Sequence, residues 1–360
     1  MSRIITVNAS KKYNCIIDRG LIPRAGSLIK EVLPKASKLL VVSDSNVYPL
    51  HFPVLKESLL KEGYEVYEYV FEAGERSKNI ESIAGMWEVM AEAGFTRTDA
   101  VVSLGGGVAG DMAGFAAASF LRGISIVQIP TSLLAMVDAT VGGKTGIDLP
   151  KGKNLVGAFK QPALVIEDTD VLKTLPEETF TEGMAEVIKY AFIMDTKLYE
   201  ILKDVADSGK AADLREDTAL LTDIVEMCVR DKAEVVAEDE FDTGRRQLLN
   251  FGHTIGHVIE RNSNFTLSHG EAVAKGMGLI SDASFRAGLC SEEVNKAVKD
   301  LIMAYNLPCG DGITPEDAVS GVMNDKKKRG NTISLILVNK IGQGEIYPVT
   351  PDALLDLLKK

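Results

Sequence analysis

No stretch of this 360-residue chain reaches the roughly 18 uninterrupted apolar residues that a membrane span requires, so no membrane partner is expected. Basic charge is scarce too: 40 Lys and Arg against 51 Asp and Glu leave a formal net charge of -11. That sign argues against general affinity for nucleic acid, whose phosphates are held by clustered Lys and Arg. An anionic substrate would need a local basic pocket. Cysteines are few and scattered; Cys15, Cys228, Cys290 and Cys309 form neither a CxxC pair nor a disulfide framework and read as reduced structural thiols. The first seven residues lack a basic stretch followed by an apolar one, so no secretory signal is expected and a cytoplasmic location follows. Internal repeats and low-complexity tracts are also missing.

What is present is enough apolar material, 46% of residues, for more than one core. At about 100 to 200 residues per domain, two domains are expected. Up to residue 168, short β-branched runs (4–7, 39–43, 65–71, 100–104, 125–129, 163–167) alternate with amphipathic ones such as 52–62 and 79–93, the pattern of an α/β sheet. Beyond 176 the runs 177–201, 212–238 and 245–261 have helical length and composition, with one late β-hairpin expected from 332–338 and 345–349. The expected fold is an α/β Rossmann-like nucleotide-binding domain, 1–172, followed by a mainly α-helical metal- and substrate-binding domain, 173–360.

The run 100–104 leads into Gly105-Gly106-Gly107-Val108-Ala109-Gly110-Asp111. A G-x-G-x-x-G turn between strand and helix lets backbone amides approach a pyrophosphate. The acidic ribose ligand usual about 20 residues downstream is missing, and Asp44, just after 39–43, is the better candidate. Residues 130–146 combine Thr131, Ser132, Asp138 and Lys144 with glycines, a lining suited to phosphate or cofactor. Lys151, Lys153 and Asn154 follow at once. Three of the four histidines, His253, His257 and His269, fall within 17 residues; His51 stands apart and reads as structural. On a continuous helix Arg246, Asn250, His253 and His257 share a ~60° arc. Spacing alone nominates His253 and His257 as co-ligands of a metal or as proton-transfer groups. Glu186 and Lys189 share a helical face and by spacing read as a surface ion pair, although Met184, Val187 and Ile188 beside them indicate partial burial.

Together these segments resemble the 3-dehydroquinate synthases, a family of sugar-phosphate cyclases. The resemblance runs through Glu75 and Lys78, residues 105–111, Arg122, 137–144, 152–159, 186–189, 230–232, 245–257, 268–271 and 325–327. It implies a metal, zinc or alternatively cobalt, held by Glu186, His253 and His269, with His257 at the substrate instead. It implies that Asp138, Lys144, Asn154, Lys189, Lys232, Arg246, Asn250 and His257 surround the substrate. Arg122 would come from the partner of a homodimer, and one lysine of Lys326, Lys327 and Lys328 would complete the set. NAD would lie along Asp44, Glu75, Lys78, Gly107, Val108, Ala109, Gly110, Asp111, Thr131, Ser132, Lys144, Lys153, Val171 and Thr174. Met136, Ala139, Thr140 and Ala191 depart from common family residues and leave these assignments intact.

The implied substrate is 3-deoxy-D-arabino-heptulosonate 7-phosphate. The implied route is transient oxidation at C5 by NAD, β-elimination of phosphate with the substrate's own phosphate as base, re-reduction, ring opening and intramolecular aldol closure. Another sugar-phosphate cyclase, or a glycerol-dehydrogenase-like metal-dependent alcohol dehydrogenase, would share much of this pattern.

Overall fold

The computed structural model describes residues 2–263, 266–326 and 332–360. The chain divides into two compact units, Met1–Pro176 with Arg215–Phe241, and Glu177–Leu214 with Asp242–Lys360.

The first unit is built on a seven-stranded sheet. Its strands are β1 (Arg3–Val7), β2 (Tyr13–Asp18), β3 (Lys38–Asp44), β4 (Glu65–Phe71), β5 (Ala100–Gly105), β6 (Ser125–Pro130) and β9 (Leu164–Asp168), in the order β1-β2-β9-β6-β5-β3-β4. Only β1 runs antiparallel, to β2. Strands β3, β5, β6 and β9 are near-continuous buried runs, as parallel strands covered on both faces should be. The hairpin β7 (Lys144–Leu149) and β8 (Gly152–Phe159) stands apart as its own sheet. Helices α1 (Ala25–Val32), α2 (Tyr48–Lys61), α3 (Ile80–Glu92) and α4 (Gly107–Ser119) connect the strands. Helix α3 starts where Asn79 Oδ1 accepts the Ser82 amide at 3.0 Å, a side-chain N-cap. Between β3 and β5 the connections reverse direction, so this pair marks the switch point where α/β sheets open a crevice at their carboxyl ends.

The chain then forms α5 (Glu177–Ile193) and α6 (Thr196–Asp207) of the second unit and returns to the first as α7 (Thr218–Glu238), which packs on β1 and β2. A single cut after residue 172 misses this return, because α7 finds its apolar partner on the sheet. The second unit is completed by α8 (His253–Asn262), α9 (His269–Arg286), α10 (Glu292–Ala304), α11 (Pro315–Lys326), the hairpin β10 (Ile333–Lys340) with β11 (Gln343–Val349), and α12 (Pro351–Lys359). Helix α9 is its hub, touching α5, α8, α10 and α12.

The strands expected from β-branched runs are all present, and so is the late hairpin. Two expected helices are broken. Residues 177–201 divide at Asp195, whose carboxylate caps α6 by accepting the Leu198 amide at 3.0 Å. Residues 245–261 divide into a 3-10 turn, Arg245–Asn250, and α8. Gly252 sits between them at φ 78, a left-handed conformation that ends a helix and favours glycine. Arg246 and Asn250 therefore do not share one helical stripe with His253 and His257. Strands β2, β7 and β8 were not expected; β7 and β8 carry too many glycines and lysines to signal a strand.

Candidate active site

In the second unit, α8 and α9 cross at glycine contact. A Cβ on Gly276 would lie 2.0 Å from Gly252 O, and one on Gly256 would lie 2.8 Å from Ala272 O. On the other side a Cβ on Gly270 would stand 2.1 Å from Glu182 O of α5. Backbones this close exclude any larger residue, and the approach brings the first residues of α8 and α9 against α5. Ser268 starts α9 with a capping box, its hydroxyl oxygen accepting the Glu271 amide and the Glu271 carboxylate accepting the Ser268 amide.

The result is a convergence. His253 Nε2 and His269 Nε2 each lie 3.3 Å from Glu186 Oε1, and one ligand atom from each of Glu186, His253 and His269 falls within 4.8 Å of the others. The second ring nitrogens face acceptors: His253 Nδ1 is 3.1 Å from Phe251 O and His269 Nδ1 is 3.5 Å from Glu260 Oε2. A proton on Nδ1 leaves the Nε2 lone pair for a metal. Sequence reading missed Glu260, whose only signal is its position seven residues after His253, on the same helical face.

Glu186 is wholly buried and paired with Lys189, itself buried, so this is no surface pair. Burial alone would raise the Glu186 pKa; Lys189 and His253 outweigh it and hold the carboxyl well below its usual range. Burial likewise opposes charge on His269, yet Glu186 and Glu260 prevail and push its pKa up to about 10. The centre thus demands positive charge at the point where three ligand atoms meet. A divalent ion there would take the place of that proton, and two imidazoles with one carboxylate are a catalytic zinc set with room for a further ligand.

His257 is not one of the three. Its ring centroid lies 5.4 Å from that of His253 and 5.8 Å from that of His269, and burial, then the charges of those two histidines, drive its pKa down to about 3. The pairing of His253 with His257 suggested by spacing is corrected by α9, which delivers His269. Arg246 is buried on the 3-10 turn, and Asn250 helps line a small cavity with Gly252, Thr254 and Ile255.

In the first unit, Asp44 ends β3 and Gly105 ends β5, at the switch point of the sheet. Asp44 Oδ1 accepts the Asn46 and Val47 amides at 2.9 and 3.0 Å, and a Cβ on Gly105 would lie 3.4 Å from Asp44 Oδ2. Gly106 begins α4 with no side-chain cap among the described residues, so the first-turn amides of Gly107, Val108 and Ala109 can face an anion. A Cβ on Gly106 would meet the Ser132 hydroxyl at 3.4 Å. The Thr131 amide donates to Gly105 O at 3.0 Å. Glycine at these positions leaves a cradle that side chains would fill, which fits a dinucleotide.

Beside it Lys78, almost wholly buried, donates to Asp111 Oδ2 and Asn154 Oδ1, each at 2.6 Å. Burial works against its charge, but Asp111 and Glu75 raise its pKa above the usual value. Glu75 Oε1 also lies 3.9 Å from Lys153 Nζ. Thr174 donates to Val171 O at 2.7 Å, and His51 Nε2 is 3.0 Å from the Thr174 hydroxyl. Asp138 lies in a π-turn, Ala135–Ala139, paired with Lys232 of α7. Lys144 is exposed at the start of β7. Leu121 and Arg122 both take left-handed φ values, 49 and 66. Lys327 and Lys328 lie outside the described residues, and Lys326 closes α11.

The chain is similar to known proteins along nearly its whole length. The model of the 3-dehydroquinate synthase N-terminal region matches residues 68–182, and that of its C-terminal region matches 183–328. The 3-dehydroquinate synthase of Lactococcus lactis subsp. cremoris (strain MG1363) is 40% identical over 352 residues, 97% of each chain. Among solved structures, 2-deoxy-scyllo-inosose synthase complexed with carbaglucose-6-phosphate, NAD+ and Co2+ superposes with a TM-score of 0.87 at 25% identity, over 99% of each chain. ValA, the 2-epi-5-epi-valiolone synthase of Streptomyces hygroscopicus subsp. jinggangensis 5008 with NAD+ and Zn2+ bound, gives 0.86 at 27% identity over 96% of each chain. Among the described residues no helix is long and apolar enough to cross a membrane. With two consecutive family models covering residues 68–328 and full-length relatives at about 40% identity, the chain belongs to the 3-dehydroquinate synthase family of sugar-phosphate cyclases.

Proposed function

We propose that Glu186, His253 and His269 hold a divalent ion, zinc or cobalt, and that the 105–111 loop with Asp44, Lys78, Thr131 and Ser132 holds NAD. Both serve the 3-dehydroquinate synthase reaction of the shikimate pathway, a carbon–oxygen lyase reaction on a phosphate (EC 4.2.3.4). The observation that carries this reading is the meeting of Glu186 Oε1 with two imidazole Nε2 atoms at 3.3 Å. Bound there, NAD would supply a reversible hydride acceptor for C5 of the heptulosonate phosphate, and the ion would supply Lewis acidity at the C5 hydroxyl.

The chain's own residues do the rest. In the first unit Lys232, fixed by Asp138, and Lys144 present ammonium donors to anionic oxygens, and Asn154 presents an amide. In the second unit Lys189 and Arg246 are buried cations. A leaving phosphate held by fixed cations departs with its developing charge already matched, without solvent reorganisation. His257, kept neutral, can hold or pass a proton at a ring nitrogen without adding charge to a crowded centre. Arg122 is assigned to the neighbouring subunit of a homodimer. Two consecutive non-glycine residues, Leu121 and Arg122, in left-handed backbone support a functional role for this turn, since such strain persists where function requires it.

The reaction is redox neutral, and that gives its test. Phosphate release from the heptulosonate phosphate is measured with NAD and zinc while NADH absorbance is followed in the same cuvette. Sustained phosphate release without net NADH, abolished by a chelator, is expected. NADH growth on simple polyols without phosphate release would overturn the reading.

A further inference from the structure

We propose that Asp148 is a positioning residue that sets the amide of Asn154 for substrate; the proposal rests on the reading of Asn154 as a substrate contact. The pairing of β7 with β8 runs Thr145 with Ala158, Gly146 with Gly157 and Ile147 with Val156, then slips to Leu149 with Gly152. The surplus residues lie on β8: Asp148 alone faces residues 153–155, so the strand bulges around Asn154. A bulge of this kind re-aims one side chain, and bulges gather beside active sites for that reason.

Here the Asp148 carboxylate reaches across the hairpin to the bulged segment. Asp148 Oδ1 accepts the Asn154 amide at 2.7 Å, while the Asp148 amide donates to Lys78 O at 2.9 Å. Asn154 is held at φ 53, a left-handed conformation that asparagine tolerates better than most residues but does not prefer. Lys78 meanwhile takes the side-chain carbonyl, donating to Asn154 Oδ1 at 2.6 Å. Backbone and side chain of Asn154 are thus fixed from two directions, by Asp148 and by Lys78. With Oδ1 engaged, the Nδ2 hydrogens are the donors left for a ligand oxygen. Without the Asp148 clamp the Asn154 backbone would relax toward the commoner conformations and carry the amide away.

The clamp needs an acceptor oxygen, not a charge, so the two substitutions Asp148→Ala and Asp148→Asn separate positioning from electrostatics. The full-length protein with zinc and NAD is assayed for kcat and KM toward the heptulosonate phosphate, alongside NAD affinity, bound zinc and thermal midpoint. Loss of a hydrogen bond that orients a binding group is expected to raise KM about tenfold in Asp148→Ala. Zinc content should stay unchanged. Asp148→Asn should recover most of the loss. Wild-type KM in Asp148→Ala, or equal impairment of both variants at equal thermal midpoint, overturns the proposal. Asn154→Ala serves as the control: if its KM is also wild type, it is the substrate contact that fails, and Asp148 loses its role with it.

Discussion

Glu186 shows how far one residue's chemistry depends on its neighbours. A carboxylate removed from water is destabilised unless compensated, and here a lysine and two histidines supply the compensation. Glu186→Gln keeps the shape and removes the charge, and a neutral amide is a poor zinc ligand. Bound zinc measured by mass spectrometry should fall to background and phosphate release should vanish; stoichiometric zinc with full activity would remove Glu186 from the site. Asp99 is a structural counterpart. Burial raises its pKa, but the Thr96, Lys38 and Ser37 amides and the Thr96 hydroxyl outweigh burial and lower it. A folded pKa below the unfolded one, about 3.9, contributes stability at pH values above the unfolded pKa and loses it as pH falls through the folded value. Asp99→Asn should therefore flatten the acid side of the stability–pH curve, read as denaturant midpoint against pH, and leave the neutral-to-alkaline slope alone.

At the scale of elements, glycine placement on α4, α8 and α9 decides what can approach. A Cβ on Gly114 of α4 would come within 2.3 Å of Thr145 Cγ2 on β7, so this glycine seats the hairpin on the helix. On α9, Gly276 does the same for α8. Gly276→Ala should cost about 2 kcal/mol or more of stability, because overpacking forces the helices apart. It should also weaken zinc binding in a chelator competition, since His253 and His269 ride on the two helices. Unchanged zinc affinity in a folded variant would show that the crossing is not what sets the centre. Several element boundaries were readable in advance: buried parallel strands announce themselves as β-branched runs, and Asn79 signals the start of α3. The break at Gly252 was not, because a glycine within an apolar-periodic stretch is compatible with an unbroken helix until a neighbour such as α9 crowds it.

For the molecule as a whole, the proposed homodimer makes a sharp prediction. If Arg122 serves the neighbouring subunit, Arg122→Ala and Lys189→Ala chains are each nearly inactive alone, yet mixed dimers rebuild one intact site. Unfolding and refolding the two together should restore about a quarter of wild-type activity, the share of intact sites in a random mixture of symmetric dimers. No recovery in mixed dimers verified by mass would place Arg122 in its own subunit's site.

Sequence alone determined the class of protein and most of its strands, because those follow from local patterns: charge balance, runs of β-branched residues, and glycines ahead of a helix. It also fixed the family, since many ordered motifs along one chain act as a single signature. Local spacing favoured His257, and only the resemblance named His269; tertiary structure brings His269 to Glu186 and His253 and buries Glu186 and Lys189. It decided as well that α7 returns to the first unit. Each of these depends on residues far apart in the chain meeting through packing of helix on helix or strand on strand, and no period along a sequence encodes such a meeting.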